Sequence, residues 1–224
     1  MERRKTRLFV GALTIAALTG CATTPNMHYS GAMPQANVTH KNVALVTKVT
    51  SGSFVKNDCL LEATHKCREH TFSVKALTTN YDRLLASALK QAGAMPQTET
   101  APPAAGWVIE TDIAPLPPHK HEAIVHYDLG KSMGMALIPV VGLFTPRYYQ
   151  MDLNVVDAIT IYHDGKAVWH DRVPVHLTKN ISKSKFAFNG GVNSSAAYKV
   201  YRVAQTSAVS QTMEGFGQVA SSVN

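Results

Sequence analysis

The sequence predicts an α+β fold, an antiparallel or mixed sheet with helices packed on one face. Three observations carry this. Short alternating stretches near residues 42–50, 107–113 and 122–129 read as half-buried strands. Residues 148–179 read as a long hairpin whose apolar faces can be brought into coincidence. Apolar residues at helical spacing fall near 79–93 and again over 195–221. A chain of 224 residues, less a leader, has room for one core, so residues 42–224 are expected to form one domain.

The first strand is Asn42 to Thr50, with Val43, Leu45 and Val49 pointing one way. Residues 51–75 are polar and read as an irregular excursion or a β-ribbon. Residues 79–93 follow as a helix with Leu84, Leu85, Ala88, Leu89 and Ala92 on its inner face. Thr79 or Asn80 is the expected cap, Asp82 favours the positive end, and Gly93 stops the helix. Pro96, Pro102 and Pro103 make 94–106 a loop. Trp107, Ile109 and Ile113 alternate with Glu110 and Asp112 in the next strand, which Pro115, Pro117 and Pro118 end. In 122–129, Ala123, Val125, Tyr127 and Leu129 take one side, and Glu122, His126 and Asp128 the other.

Residues 130–146, GKSMGMALIPVVGLFTP, are apolar from Met133 to Phe144 but broken by Gly134, Pro139 and Gly142. The run is too short to span a bilayer as a helix, and Pro139 fits neither a central strand nor a helix interior. It reads as an apolar loop, which either tucks under the sheet or meets something outside. Met135, Leu137, Ile138, Val140, Val141, Leu143 and Phe144 are its candidate contacts with a membrane or partner. Lys131 and Arg147 flank it and would suit anionic head groups.

In the hairpin, Met151, Leu153, Val155, Ile159 and Ile161 must share a face with Trp169, Val173, Val175 and Leu177. Odd positions must therefore oppose odd positions, which a plain two-residue turn does not allow. A three-residue loop, His163-Asp164-Gly165, satisfies the parity and sets Ile159 opposite Trp169, with Gly165 as the left-handed residue. That register also sets Asp157 opposite Asp171. The last element is a helix over about 195–221, lined by Val200, Val203, Ala204, Ala208, Met213 and Phe216. Gln205, Ser207 and Gln211 fall to its solvated side, and Gly215 and Gly217 weaken its last turns.

The N-terminus carries the most specific signal. Arg3, Arg4, Lys5 and Arg7 precede an uncharged apolar run from Leu8 to Leu18, the pattern of a signal peptide over 1–20. The run ends in Leu18-Thr19-Gly20-Cys21, which resembles the lipobox of bacterial lipoproteins. The resemblance implies cleavage before Cys21, acylation of its sulfur and retention on membrane lipid. Ala22, where an Asp would favour the inner membrane, implies the outer membrane. Residues 21–41 then form the acylated Cys and a flexible tether rich in Pro, Gly, Ser, Thr and Asn. The formal charge of +7 falls to +4 once the leader, with four basic residues against Glu2, is removed. That mild surplus suits acidic lipid head groups and is no evidence for nucleic acid. Cys59 and Cys67 remain, an even pair that reads as one disulfide worth about 2–3 kcal/mol in an oxidising compartment.

Candidate chemistry is sparse. His119, His121 and His126 could ligate a metal from a strand edge, and Asp157 with Asp171 could form an acid/base couple or hold a cation. No Ser lies in a nucleophile-elbow pattern, and Gly190-Gly191 reads as a turn rather than a phosphate loop. No cofactor and no catalytic residue is therefore assigned. Cys21, the strand NVALVTKV, the helix YDRLLASALKQAG, the strand WVIETDI and the hairpin end DGKAVWHD before a C-terminal helix together resemble small envelope lipoproteins that serve as auxiliaries to transport or lipopolysaccharide-assembly machines. The resemblance implies a non-catalytic accessory, anchored by lipid at the periplasmic face of the outer membrane, with an envelope protein as partner. A metal-binding or hydrolytic periplasmic enzyme and an inhibitor or immunity-type lipoprotein are the alternative expectations.

Overall fold

Val, Ile, Thr and aromatic residues at alternate positions favour strands, because a branched side chain packs well on a pleated surface. The computed structural model describes residues 28–31, 38–50, 54–57, 69–71, 74–127, 147–183 and 194–223. In these, β1 (Asn42–Val49), β2 (Phe54–Asn57), β3 (Glu69–Thr71), β4 (Met95–Thr98), β5 (Trp107–Pro115), β6 (Ala123–Tyr127), β7 (Arg147–His163) and β8 (Lys166–Lys183) form one mixed eight-stranded sheet. Among the described residues, the helices α1 (Val74–Gln91) and α2 (Ser194–Ser222) complete an α+β fold.

The sheet is organised around β7. Along its whole length one edge pairs antiparallel with β8. Its other edge pairs with β6 over Tyr149 to Leu153 and with β5 over Val155 to His163. Hence β5 and β6 are one long strand with a loop extruded from its middle. Pro115, Pro117 and Pro118 explain the break, since none can donate to the ladder. Hydrogen bonds from Leu116 N to Asn154 O (3.0 Å) and from Asn154 N to Glu122 O (2.8 Å) close the loop's mouth. Glu122, which alternation put on the polar side, is fully buried there. β1 runs parallel to β5 and β2 parallel to β6, while β4 and β3 occupy the outer edges. The described parts of 51–75 thus include the β-ribbon β2–β3, and 94–106 contains β4 as well as loop. Pro96 is tolerated in β4 because the strand lies at an edge.

Odd-numbered residues of β1, β5, β7 and β8 share the covered face. Val43, Leu45, Ile109, Ile113, Val155, Ile159, Ile161, Val173 and Val175 are all buried there, each worth roughly 1.5–3 kcal/mol against exposure. α1 packs over β1 and β4, α2 over β8 and β7, and the two helices touch. α1 begins at Val74, five residues before the expected cap, so Asn80 and Asp82 are buried residues of its body. Its end is the predicted one. Gly93, at φ 86°, donates to Lys90 O (3.0 Å) and Ala94 to Leu89 O (2.9 Å), a Schellman motif that satisfies the last carbonyls.

The β7–β8 turn corrects the expected loop. Asp164 (φ 50°) and Gly165 (φ 74°) form a two-residue turn between His163 and Lys166. Parity is restored by a bulge: Tyr162 pairs with Ala167 but Ile161 with Trp169, leaving Val168 as the extra residue. The register is shifted by two residues from the one predicted. Asp157 stands opposite Val173 and Asp171 opposite Ile159, so the two carboxylates do not face each other.

α2 runs unbroken through Gly215 and Gly217 to Ser222. Gly215 is a packing device: a Cβ there would lie 2.4 Å from Cε2 of Trp169. The helix backbone therefore lies directly on the Trp169 indole. Nearby, Trp107 packs edge-on against Phe216 (centroids 5.2 Å apart) and against the His163 ring (4.3 Å). Val203, expected inside, is 61% exposed.

Candidate functional site

Several sequence-predicted sites, namely Cys21, Cys59, Cys67 and Met135, Leu137, Ile138, Val140, Val141, Leu143 and Phe144, lie outside the described residues. His119 lies on the extruded loop, its N–H bonded to Leu116 O (2.9 Å), and is exposed. His121 is half-buried at the loop's end, and His126 belongs to β6 opposite Gln150. Among the described residues, no three His, Cys, Asp or Glu side chains are grouped to hold a metal. Asp171 is exposed and accepts a hydrogen bond from the Arg172 amide (2.7 Å), whereas Asp157 is inaccessible to solvent.

Asp157 instead anchors a polar cluster that sequence reasoning missed. It occupies the covered face of β7, between Ile113 on β5 and Val173 on β8. Gln205 on α2, expected in solvent, is fully buried and donates its Nε2–H to Asp157 Oδ1 (3.4 Å). Tyr81 from α1 and Tyr201 from α2 are buried close enough for the carboxylate to perturb both phenols. Burial pushes the Asp157 carboxyl up to about 7, the Gln205 hydrogen bond opposing that rise. Burial, then the Asp157 charge, raises Tyr81 and Tyr201, so both stay protonated. Asp82, buried beside Thr47, is raised by desolvation to about 6. The cluster can hold or release a proton, but no substrate reaches residues with zero exposure. A signal existed: a carboxylate on an apolar strand face requires a polar partner in the covering helix. Gln205 lies four residues from Tyr201 and from Val209, on the buried stripe.

The accessible site is built by the N-terminal strap on α1. The segment around Tyr29 and Val38, predicted to be part of a free tether, contributes both side chains to the core, at 1% and 0% exposure. Ser87 and Gln91, one turn apart on α1, hold its backbone: Tyr29 N donates to Ser87 Oγ (3.1 Å) and Gln91 Nε2 donates to Tyr29 O (3.0 Å). Ser87 Oγ also lies 3.1 Å from His28 Nδ1. Gly31 sits between the Tyr29 ring and Thr206 of α2, where a Cβ would come within 2.4 Å of the phenol oxygen and 2.9 Å of Thr206 Cγ2. The strap therefore crosses from one helix to the other. His28, Arg83, Ala86, Ser87, Lys90 and Gln91 line a shallow groove of about 440 Å³ beside it. Arg83 and Lys90 are exposed, and no lining residue is acidic. Such a groove can receive an anion, and its Ser87 hydroxyl is already engaged by the Tyr29 amide and the His28 ring.

No protein-family model matches the chain, and no curated protein matches it in sequence. Solved structures are similar to it in arrangement. One is a homologue of a neuraminyllactose-binding hemagglutinin from Helicobacter pylori, with 12% identity, TM-score 0.44, and coverage of 84% of this chain and 91% of that one. A protein from Xanthomonas campestris has 8% identity and TM-score 0.41, covering 89% and 98%. A minor lipoprotein from Acinetobacter baumannii has 9% identity and TM-score 0.31, covering 82% and 95%.

Proposed function

We propose that this chain is a non-catalytic, lipid-anchored accessory protein of the cell envelope, held by acylated Cys21 at the periplasmic face of the outer membrane, where it binds an envelope protein complex or lipid. The observation that carries the reading is the strap. With Tyr29 seated in the core, six residues, Ala22 to Met27, separate Cys21 from His28. Seven links of at most about 3.6 Å reach roughly 25 Å, so an anchor at Cys21 confines the helical layer to the neighbourhood of the bilayer. A tether running free to Lys41 would have left the body's orientation open. The apolar run from Leu137 to Phe144 is the partner contact in this reading.

Two experiments test it together. Palmitate incorporation should depend on Cys21, and Cys21→Ser should release the chain from the membrane fraction; a Cys21→Ser chain that stays membrane-bound refutes the anchor. Photo-crosslinking in cells from a reactive residue at Leu143, with the β-turn position Lys166 as control, should yield a discrete protein or lipid adduct at 143. Crosslinks confined to the chain itself would place the apolar run in the core and refute the contact.

A further inference from the structure

We propose that the groove where His28 meets α1 is a binding site for the phosphate of an anionic phospholipid headgroup in the anchoring leaflet. This rests on the reading of Cys21 as the anchor. Three observations converge. First, Arg83 and Lys90 lie seven residues apart, two turns along one face of α1, with the Ser87 hydroxyl and Gln91 amide beside them and no carboxylate in the lining. Residues so spaced on a helix share a face, so both cations can address one anion. Second, the imbalance extends over the helical layer. Among the described residues of the two helices, Arg83, Lys90, Lys199 and Arg202 are accessible, while Asp82 is buried and Glu214 is the accessible acid. A helical layer with four accessible cations against one accessible acid is drawn to an anionic surface. Third, His28 lines the groove and is the first described residue of the strap, seven positions after Cys21. The anion-binding groove is therefore the part of the described body held closest, along the chain, to the lipid. The negative end of the α1 dipole opposes an anion here, but its last carbonyls are taken by the Gly93 and Ala94 amides. Binding then depends on the side chains of Arg83 and Lys90.

The test uses the full chain, produced in bacterial membranes and reconstituted into vesicles of phosphatidylcholine alone or with phosphatidylglycerol added. The rate of Lys90 acetylation by a water-soluble reagent is read by mass spectrometry, with Lys166 as internal control. Phosphatidylglycerol should slow acetylation of Lys90 about fivefold or more, the scale of one basic side chain engaging an anionic surface. Lys166 should be unchanged. Arg83→Glu, and more mildly Arg83→Gln, should restore the faster rate with no change in helix content. Equal Lys90 rates on vesicle-bound chain with and without phosphatidylglycerol would overturn the headgroup site and leave the anchor standing. Equal protection by inorganic phosphate over phosphatidylcholine would overturn the lipid source in favour of a free anion. A chain that does not stay with the vesicles overturns the anchor and this site with it.

Discussion

Replacing Asp157 with Asn should make the protein more stable, and increasingly so as pH rises. The carboxyl has zero exposure and is held at about 7 by burial, against an ordinary value of 3.8. Between these limits the native state keeps a proton that the unfolded chain has shed, so stability falls with pH across this window and levels off above it. The gap of about three units, at 1.36 kcal/mol each, amounts to about 4 kcal/mol by pH 8. Asn is nearly isosteric, keeps an oxygen for the Gln205 amide, and has no charge to bury. Below about pH 4 the two proteins should therefore differ by less than about 1 kcal/mol, and above pH 7 the variant should lead by roughly 3–5 kcal/mol. Urea unfolding followed by circular dichroism, run on both proteins from pH 4 to 8, measures the difference directly. Taking the difference removes groups common to both proteins, including Asp82, which is also raised, and the exposed Lys48–Glu110 pair. A difference that stays flat with pH would mean that Asp157 ionises in the folded state as it does in water, and the closed cluster beneath the helices would be refuted.

Other expectations follow from packing. Gly215→Ala drives a methyl into the Trp169 indole at 2.4 Å and should cost about 1–3 kcal/mol, visible as a lower melting temperature with the fold retained. Tyr29→Ala empties a fully buried site at the helix seam and should cost about 3–5 kcal/mol if the strap unfolds with the body. If the strap opens locally, hydrogen exchange should instead quicken at the Tyr29 amide, which Ser87 holds, with global stability little changed. Gly93→Ala, at φ 86°, should cost about 1 kcal/mol by thermal melting, with no effect on vesicle association.

The cluster around Asp157 also clarifies how the helices are placed. Tyr81 comes from α1, Tyr201 and Gln205 from α2, and Asp157 from the sheet between its covered neighbours. A polar group in an apolar core is costly unless partnered, so alternative seatings of α2, which carries the Gln205 partner, would leave it worse off. This favours one helix register at some expense of stability, which is why Asp157→Asn is expected to stabilise.

Local periodicity determined the α+β class, the inward faces of β1 and β5, the Gly93 stop and the odd-to-odd parity of the hairpin, because alternation and helical spacing are properties of neighbouring residues. Cys21, the Cys59–Cys67 pair and the run from Met135 to Phe144 stand as sequence readings, since they lie outside the described residues. Tertiary structure decided the rest. Parity can be met by a three-residue loop or by a tight turn with a bulge, and only the pairing of β7 with β8 distinguishes them; with that choice went the supposed Asp157–Asp171 couple. Gln205 is polar, yet its place on the buried stripe of α2 is set by a carboxylate 48 residues away in sequence. Tyr29 sits in a stretch with no apolar period, and its burial arises from contacts 58 residues along the chain on α1. Each of these depends on which distant surface a side chain meets, and local spacing carries no record of that.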